Sequence, residues 1–210
     1  DAFAAAIRPE TKAVYTEIIG NTSGAIADLD VLADVAHSHG LPLIVDATFA
    51  TPYLCRPMEF GADIVVHSAT KFIGGHGTSI AGVISESGRF DWASGRFPRM
   101  TEPVDSYNGL QWVGNFGEYA FCTALRSEQL RDVGASLSPF NAFLMLQGLE
   151  TLPMRMDAHV ANARAVATWL DDDPRVAWVA HADLPSSPHH DLATKYLPRG
   201  AGAIFTFGVK

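Results

Sequence analysis

Three apolar segments of strand length, spaced by helix-forming or loop-forming stretches, constrain this chain most. They cover residues 12–19 (KAVYTEII), 41–47 (LPLIVDA) and 62–71 (ADIVVHSATK). Between the first two, residues 28–40 read as a helix. Leu29, Leu32, Ala33 and Ala36 recur at helical spacing, Asp28 can cap the start, and Gly40 fits a left-handed stop. A shorter helix over 57–61 leads into the third segment. Strands that are apolar throughout and alternate with helices describe an α/β fold, a mostly parallel sheet flanked by helices. In such sheets ligands collect at the carboxyl ends of the strands. Asp46 and the segment 68–71 both fall at such ends.

The rest of the chain extends this plan. Residues 77–85 form a further strand candidate, and 86–115, rich in Gly, Pro, Trp and Phe, read as an ordered excursion. Residues 116–133 read as a helix. A long helical pattern over 138–170 is bent or split by Pro153. A strand at 176–180, a helix at 190–197 and a strand at 202–210 then look like the start of a smaller α/β domain. The expected division is therefore 1–137, part of a large domain, and 138–210, a long connecting helix and the incomplete start of a small one.

Composition excludes several classes. With 48% apolar residues, twelve Phe and four Trp, the chain can bury a core. A net charge of −8 disfavours nucleic acid or an anionic membrane as the main partner. No apolar run is long enough to span a bilayer and no secretory leader opens the sequence, so a cytoplasmic setting is expected. Cys55 and Cys122 lie far apart and outside any ligand spacing, and none of the eight histidines forms an HExxH pattern; neither a disulfide framework nor a metal site is expected.

The chemistry centres on Ser68-Ala69-Thr70-Lys71. A lysine directly after an apolar strand is unusual, because burying an ammonium is costly; burial also lowers its pKa, which suits Schiff-base and proton-transfer work. Ser68 and Thr70, at i and i+2 of an extended segment, point the same way and could donate jointly to phosphate oxygens. Gly74, Gly75 and Gly77 would let the backbone approach a ligand closely. Asp46 lies one strand–helix–strand unit upstream, on the neighbouring strand end. It could cap a helix, ligate a metal or partner a cationic nitrogen. With no second carboxylate close in sequence the metal reading is weak. A pyridoxal enzyme needs such an acid beside the ring nitrogen. Asn21, in the loop after the first strand with Glu17 just before it, could bond a cofactor ring oxygen, although an asparagine beside Gly20 is more often a turn residue. A dinucleotide fingerprint and a nucleophile elbow are both missing.

The segments YTEIIGN, LIVDATFATPYL, HSATKFIGGHGT and SPFNAFLMLQGLETLPMRM resemble the Cys/Met-metabolism pyridoxal-phosphate enzymes of fold type I, and the resemblance covers essentially all 210 residues. GRFDW, the Phe-Pro at 97–98, LSPFNAFLMLQGLETL and KYLPRGAGAIFTF are most similar to the O-acetylhomoserine sulfhydrylase subgroup. The resemblance implies pyridoxal 5'-phosphate as cofactor. It implies Lys71 as the catalytic lysine that carries it, Asp46 as the ring-nitrogen partner, Ser68 and Thr70 as phosphate ligands, and Asn21 near the phenolic oxygen. It further implies a γ-replacement, O-acetyl-L-homoserine and sulfide to L-homocysteine and acetate, and a homotetramer. The alternatives are O-succinylhomoserine sulfhydrylase, cystathionine γ-synthase or methionine γ-lyase activity, or a catalytically incompetent fragment. Ala47 stands where relatives have Asn, and Asn108 where many have His. On the same resemblance an upstream phosphate loop, a ring-stacking tyrosine and a downstream carboxylate-binding arginine are missing, so these residues hold only part of a site.

Overall fold

The computed structural model describes residues 2–210. In chain order the strands are β1 (Val14–Glu17), β2 (Leu43–Asp46), β3 (Ile64–Ser68), β4 (Gly82–Glu86), β5 (Val176–Ala180) and β6 (Thr206–Val209). The α-helices are α1 (Ala2–Ala6), α2 (Leu29–Ser38), α3 (Thr51–Leu54), α4 (Pro98–Thr101), α5 (Trp112–Phe116), α6 (Ala120–Ala124), α7 (Pro139–Glu150), α8 (Leu152–Asp171) and α9 (His190–Tyr196). One sheet has the order β1-β2-β3-β4. Its first three strands are parallel, with Glu17 opposite Asp46 and Asp46 opposite Val66. The expected α/β architecture with a mostly parallel sheet is what the chain adopts. The fourth strand runs antiparallel, pairing Ser68 with Gly82 and Ile64 with Glu86.

Apolar strands buried on both faces explain the continuous runs. Val14, Leu43, Val45 and Val65 are buried in one core with Leu29, Leu32, Ala33 and Ala36 of α2, and Ile64 is buried on the opposite face. Each fully buried Leu contributes about 1.5–3 kcal/mol relative to exposure. Gly40, at φ 63°, ends α2 as expected, its N–H donating to His37 O at 2.9 Å. The start of α2 differs from expectation. Asp28 occupies the cap position, yet its carboxylate caps no helix N–H. It accepts the Tyr196 hydroxyl proton instead, and that hydroxyl oxygen accepts the Asp30 N–H at 3.1 Å. An orphan helix donor is thus satisfied by a tyrosine from α9.

Two other segments depart from their periodicity. Residues 116–133, read as one helix, are helical but not uniform: Gly117, at φ 53° and ψ −121°, parts Phe116 from a 3₁₀ turn over Gly117–Tyr119, α6 follows, and Leu125–Val133 is a π-helix. Packing decides the break. The excursion builds a second core of Trp92, Met100, Trp112, Ala120 and Ala124 against Ile64, with Phe121 stacked on Trp92 at 5.1 Å. Residues 77–81 stay outside β4 because Thr70 and Ala81 exchange hydrogen bonds there, Ala81 N–H to Thr70 Oγ1 at 2.9 Å and Thr70 N–H to Ala81 O at 3.2 Å. In the C-terminal stretch β5 pairs antiparallel with β6 in a sheet of its own.

The 138–170 pattern splits at Thr151, with Pro153 in the first turn of α8, where a missing N–H costs nothing. α7 meets the turn after Lys71 by direct backbone contact. A Cβ on Gly148 would lie 2.3 Å from Gly74 O and 2.6 Å from Ile73 O. Gly148→Ala is therefore expected to lower stability by about 1–3 kcal/mol through overpacking, read as a lower thermal midpoint; an unchanged midpoint would show that the helix has room to retreat.

Two buried histidines set a pH dependence. Burial lowers the pKa of His67 despite the Ala47 backbone and Asp46, and that of His181 despite Asp183 and Gly202. The folded state thus disfavours the protonated rings, while the unfolded chain binds protons below its ordinary value of about 6.5. The stability held by the neutral rings is complete above that value and is lost as pH falls through it. The thermal midpoint is expected to drop from about pH 7 to about pH 5; a flat or rising midpoint over that interval would contradict it.

Candidate active site

A cavity of about 740 Å³ opens at the carboxyl ends of β1, β2 and β3. Glu17 and Asp46 end two paired parallel strands, and Ser68 ends the third. Because adjacent parallel strands finish on the same edge, residues far apart in sequence converge there. Lys71, Asp46, Ser68, Thr70 and Asn21 all line this one cavity, together with Glu17, Thr48 and Gly75. Two cations, Lys71 and Arg155, and two carboxylates, Glu17 and Asp46, give it a mixed charge.

Asp46 is held at both oxygens. Oδ1 accepts the Thr48 N–H at 2.8 Å and Oδ2 accepts the Tyr15 hydroxyl proton at 3.2 Å. Burial, and then the Asp46 carboxylate, push the Tyr15 phenol above its ordinary pKa, so Tyr15 remains a donor. Each carboxylate oxygen has a second lone pair, which leaves Asp46 able to accept from a protonated ring nitrogen. Glu17 accepts the Asn21 N–H at 2.9 Å and so shapes the loop that carries Asn21.

Lys71 sits in a helical turn. Its N–H donates to Ser68 O at 3.1 Å, and its carbonyl accepts from Gly75 N–H at 2.8 Å. Its side chain is exposed in this chain, so the desolvation expected from its place after a strand is not what sets it apart. What distinguishes it is position. Lys71 Nζ, Ser68 Oγ and the Asn21 side-chain amide have no protein partner among the described residues, and all three residues border the cavity.

Two sequence readings need correction. Ser68 ends β3 and Thr70 lies in the following turn, so they are not i and i+2 of one extended segment. The Thr70 hydroxyl is engaged with Ala81, donating to its carbonyl at 3.3 Å. Among the glycines, Gly75 and Gly77 border the cavity, at φ 71° and 66°. Gly74 instead faces Met145 of α7, whose sulfur would lie 2.9 Å from an added Cβ.

Thr48, Arg155, His159, Phe49 and Phe72 also form the cavity and carried no distinguishing signal in sequence. Thr48 accepts the Ser68 N–H on Oγ1 at 2.8 Å, tying the ends of β2 and β3 together. Its place two residues after an acid at a strand end was the one available cue. Phe72 packs edge-on to both Phe49 and His159, at 6.4 and 5.5 Å between ring centres.

The model of the family described as Cys/Met metabolism PLP-dependent enzyme matches residues 1–210. The homocysteine synthase of Schizosaccharomyces pombe is 52% identical over 99% of this chain and 49% of the relative. O-acetyl-L-homoserine sulfhydrylase 1 of Thermus thermophilus is 47% identical over 99% of this chain and 50% of the relative. The chain thus spans about half the length of these curated relatives. Among solved structures, a Campylobacter jejuni protein described as an O-acetylhomoserine (thiol)-lyase superposes with a TM-score of 0.95 at 35% identity, over 99% of this chain and 52% of that one. That protein carries N'-pyridoxyl-lysine-5'-monophosphate.

Proposed function

Because this chain belongs to the Cys/Met metabolism PLP-dependent enzyme family, we propose that it forms the lysine-bearing half of an O-acetyl-L-homoserine sulfhydrylase, which exchanges acetate for sulfide at the γ-carbon to give L-homocysteine. The observation that carries this reading is the convergence of Lys71, Asp46, Ser68 and Asn21 on one cavity. The residues fit pyridoxal 5'-phosphate by their donor chemistry. Lys71 Nζ, unpartnered among the described residues, could condense with a carbonyl, Asp46 could accept from a ring nitrogen, Ser68 Oγ could donate to a phosphate, and the Asn21 side-chain amide could donate to a phenolic oxygen. The cavity is also of the size that holds a cofactor.

When bound, the cofactor supplies a conjugated sink for the electrons left at the substrate α-carbon. The protein does the rest. Lys71 would hold the cofactor through Nζ, and that amine, when not so engaged, would remove the α-proton of the substrate. Once it has handed that proton on to the conjugated system, the same amine would take one from the β-carbon as acetate leaves the γ-carbon. Sulfide adds there, and Lys71 returns protons as the earlier steps reverse. Asp46, its oxygens fixed by Thr48 and Tyr15, would accept from the ring nitrogen. Thr70 joins Ser68 on the phosphate if its hydroxyl turns from Ala81. Phe49, Phe72 and Ile204 exclude water from one wall.

We further propose that residues 1–137 are part of the large cofactor domain and 138–210 the start of the small one, and that the whole protein works in the cytoplasm as a homotetramer. No helix among the described residues is long and apolar enough to cross a membrane. Self-association is supported by α7, which exposes Phe140, Phe143, Leu146 and Leu149. The test is an assay of the whole protein with O-acetyl- and O-succinyl-homoserine, with and without sulfide. Homocysteine formed only from the acetyl ester with sulfide is the expected result. Preference for the succinyl ester, or 2-oxobutanoate formed without sulfide, would replace the reading with one of its relatives, and no turnover of any ester would sink it.

A further inference from the structure

We propose that Arg155 is a positioning residue for Lys71: it clasps the turn that carries the lysine to the junction of α7 and α8, and so fixes where the lysine side chain starts. The turn after β3 ends with carbonyls that a helix would leave unpaired. Arg155 Nη1 donates to Phe72 O at 2.7 Å, and Nη2 donates to Ile73 O at 3.3 Å and to Gly148 O at 2.7 Å. Its Nε donates to Thr151 Oγ1 at 3.0 Å. One guanidinium therefore spans the two residues that follow Lys71, the last turn of α7 and the first residue of the α7–α8 junction. The contact is tight on both sides. Gly75 lies so close that an added Cβ would be 2.5 Å from Nη1, and Gly148 presses its own backbone on Gly74 O. Arg155 also borders the Lys71 cavity, but all its nitrogens are engaged with this frame, which separates it from a substrate-binding cation.

A planar fork of donors is required for this span. A lysine offers the same charge at a single point and cannot reach carbonyls on both sides of the junction. The inference rests on the reading of Lys71 as the cofactor-bearing lysine, and its test has an arm that does not. In the whole protein without cofactor, Arg155→Met and Arg155→Lys are expected to speed hydrogen exchange at the Gly74 and Gly75 amides at least about tenfold, with amides of β1 and β2 unchanged. In the loaded protein both variants are expected to lower kcat by on the order of tenfold with little change in KM, and to move the midpoint of the pH titration of the visible absorbance. Should Arg155→Met fail to fold, Arg155→Lys decides. Wild-type exchange at the two glycines, or a lysine variant indistinguishable from wild type in exchange, kcat and titration, would overturn the proposal. A wild-type protein that never gains visible absorbance would sink the function proposed above, while the exchange arm would still decide whether Arg155 holds the turn.

Discussion

Lys71→Ala in the whole protein is expected to abolish the visible absorbance that forms when pyridoxal 5'-phosphate is added, and to lower kcat by about 10⁴-fold. The effect is large because, on the proposed reading, one amine serves two purposes, covalent attachment of the cofactor and repeated proton transfer at the substrate. No other lysine borders the cavity among the described residues, so none is placed to substitute. The fold is expected to survive, since Lys71 is exposed and its side chain makes no hydrogen bond to the protein among the described residues. Thermal unfolding of the cofactor-free variant checks that. A folded Lys71→Ala protein that keeps the covalent absorbance and normal turnover would refute the assignment.

Asp46→Asn is the second large expectation. The amide oxygen can still accept the Thr48 N–H, but the amide nitrogen cannot accept the Tyr15 hydroxyl proton now taken by Oδ2. The structural loss is one exposed hydrogen bond, about 1 kcal/mol. The functional loss is greater, because a neutral amide does not hold a ring nitrogen protonated. We expect kcat to fall by roughly 10²-fold, as on losing one preorganised electrostatic partner of the reacting group, with the thermal midpoint of the cofactor-free protein little changed. Turnover near the wild-type level would remove Asp46 from the site. A collapsed midpoint would make it a structural residue instead.

The two substitutions test the part of the site that could be read from the sequence. Apolar strands broken by an amphipathic helix commit the chain to parallel neighbours, and parallel neighbours must end on one edge. That rule alone brings Asp46 beside the Ser68–Lys71 segment, whatever the loops do. The amide of Asn21 reaches the same edge for the same reason, from the loop after β1.

What failed was whatever depended on a distant partner. The helical period over 116–133 is real, yet 3₁₀, α and π segments carry it in turn, with Phe121 stacked on Trp92. Asp28 has the chemistry of a cap, yet Tyr196, 168 residues away, took its carboxylate. Ser68 and Thr70 read as i and i+2 of one extended segment, yet Thr70 lies in the turn after β3, where its hydroxyl meets Ala81.

By itself, then, the sequence determined the mostly parallel sheet and the edge on which lysine and aspartate meet, because local periodicity dictates which faces are buried and strand direction follows from the crossovers. Only the tertiary structure decided which donors at that edge remain free and what holds the lysine turn. Arg155 reaches Phe72 across 83 residues, and hydrogen bonds of that span depend on how two helices and a turn pack, which no window of sequence encodes.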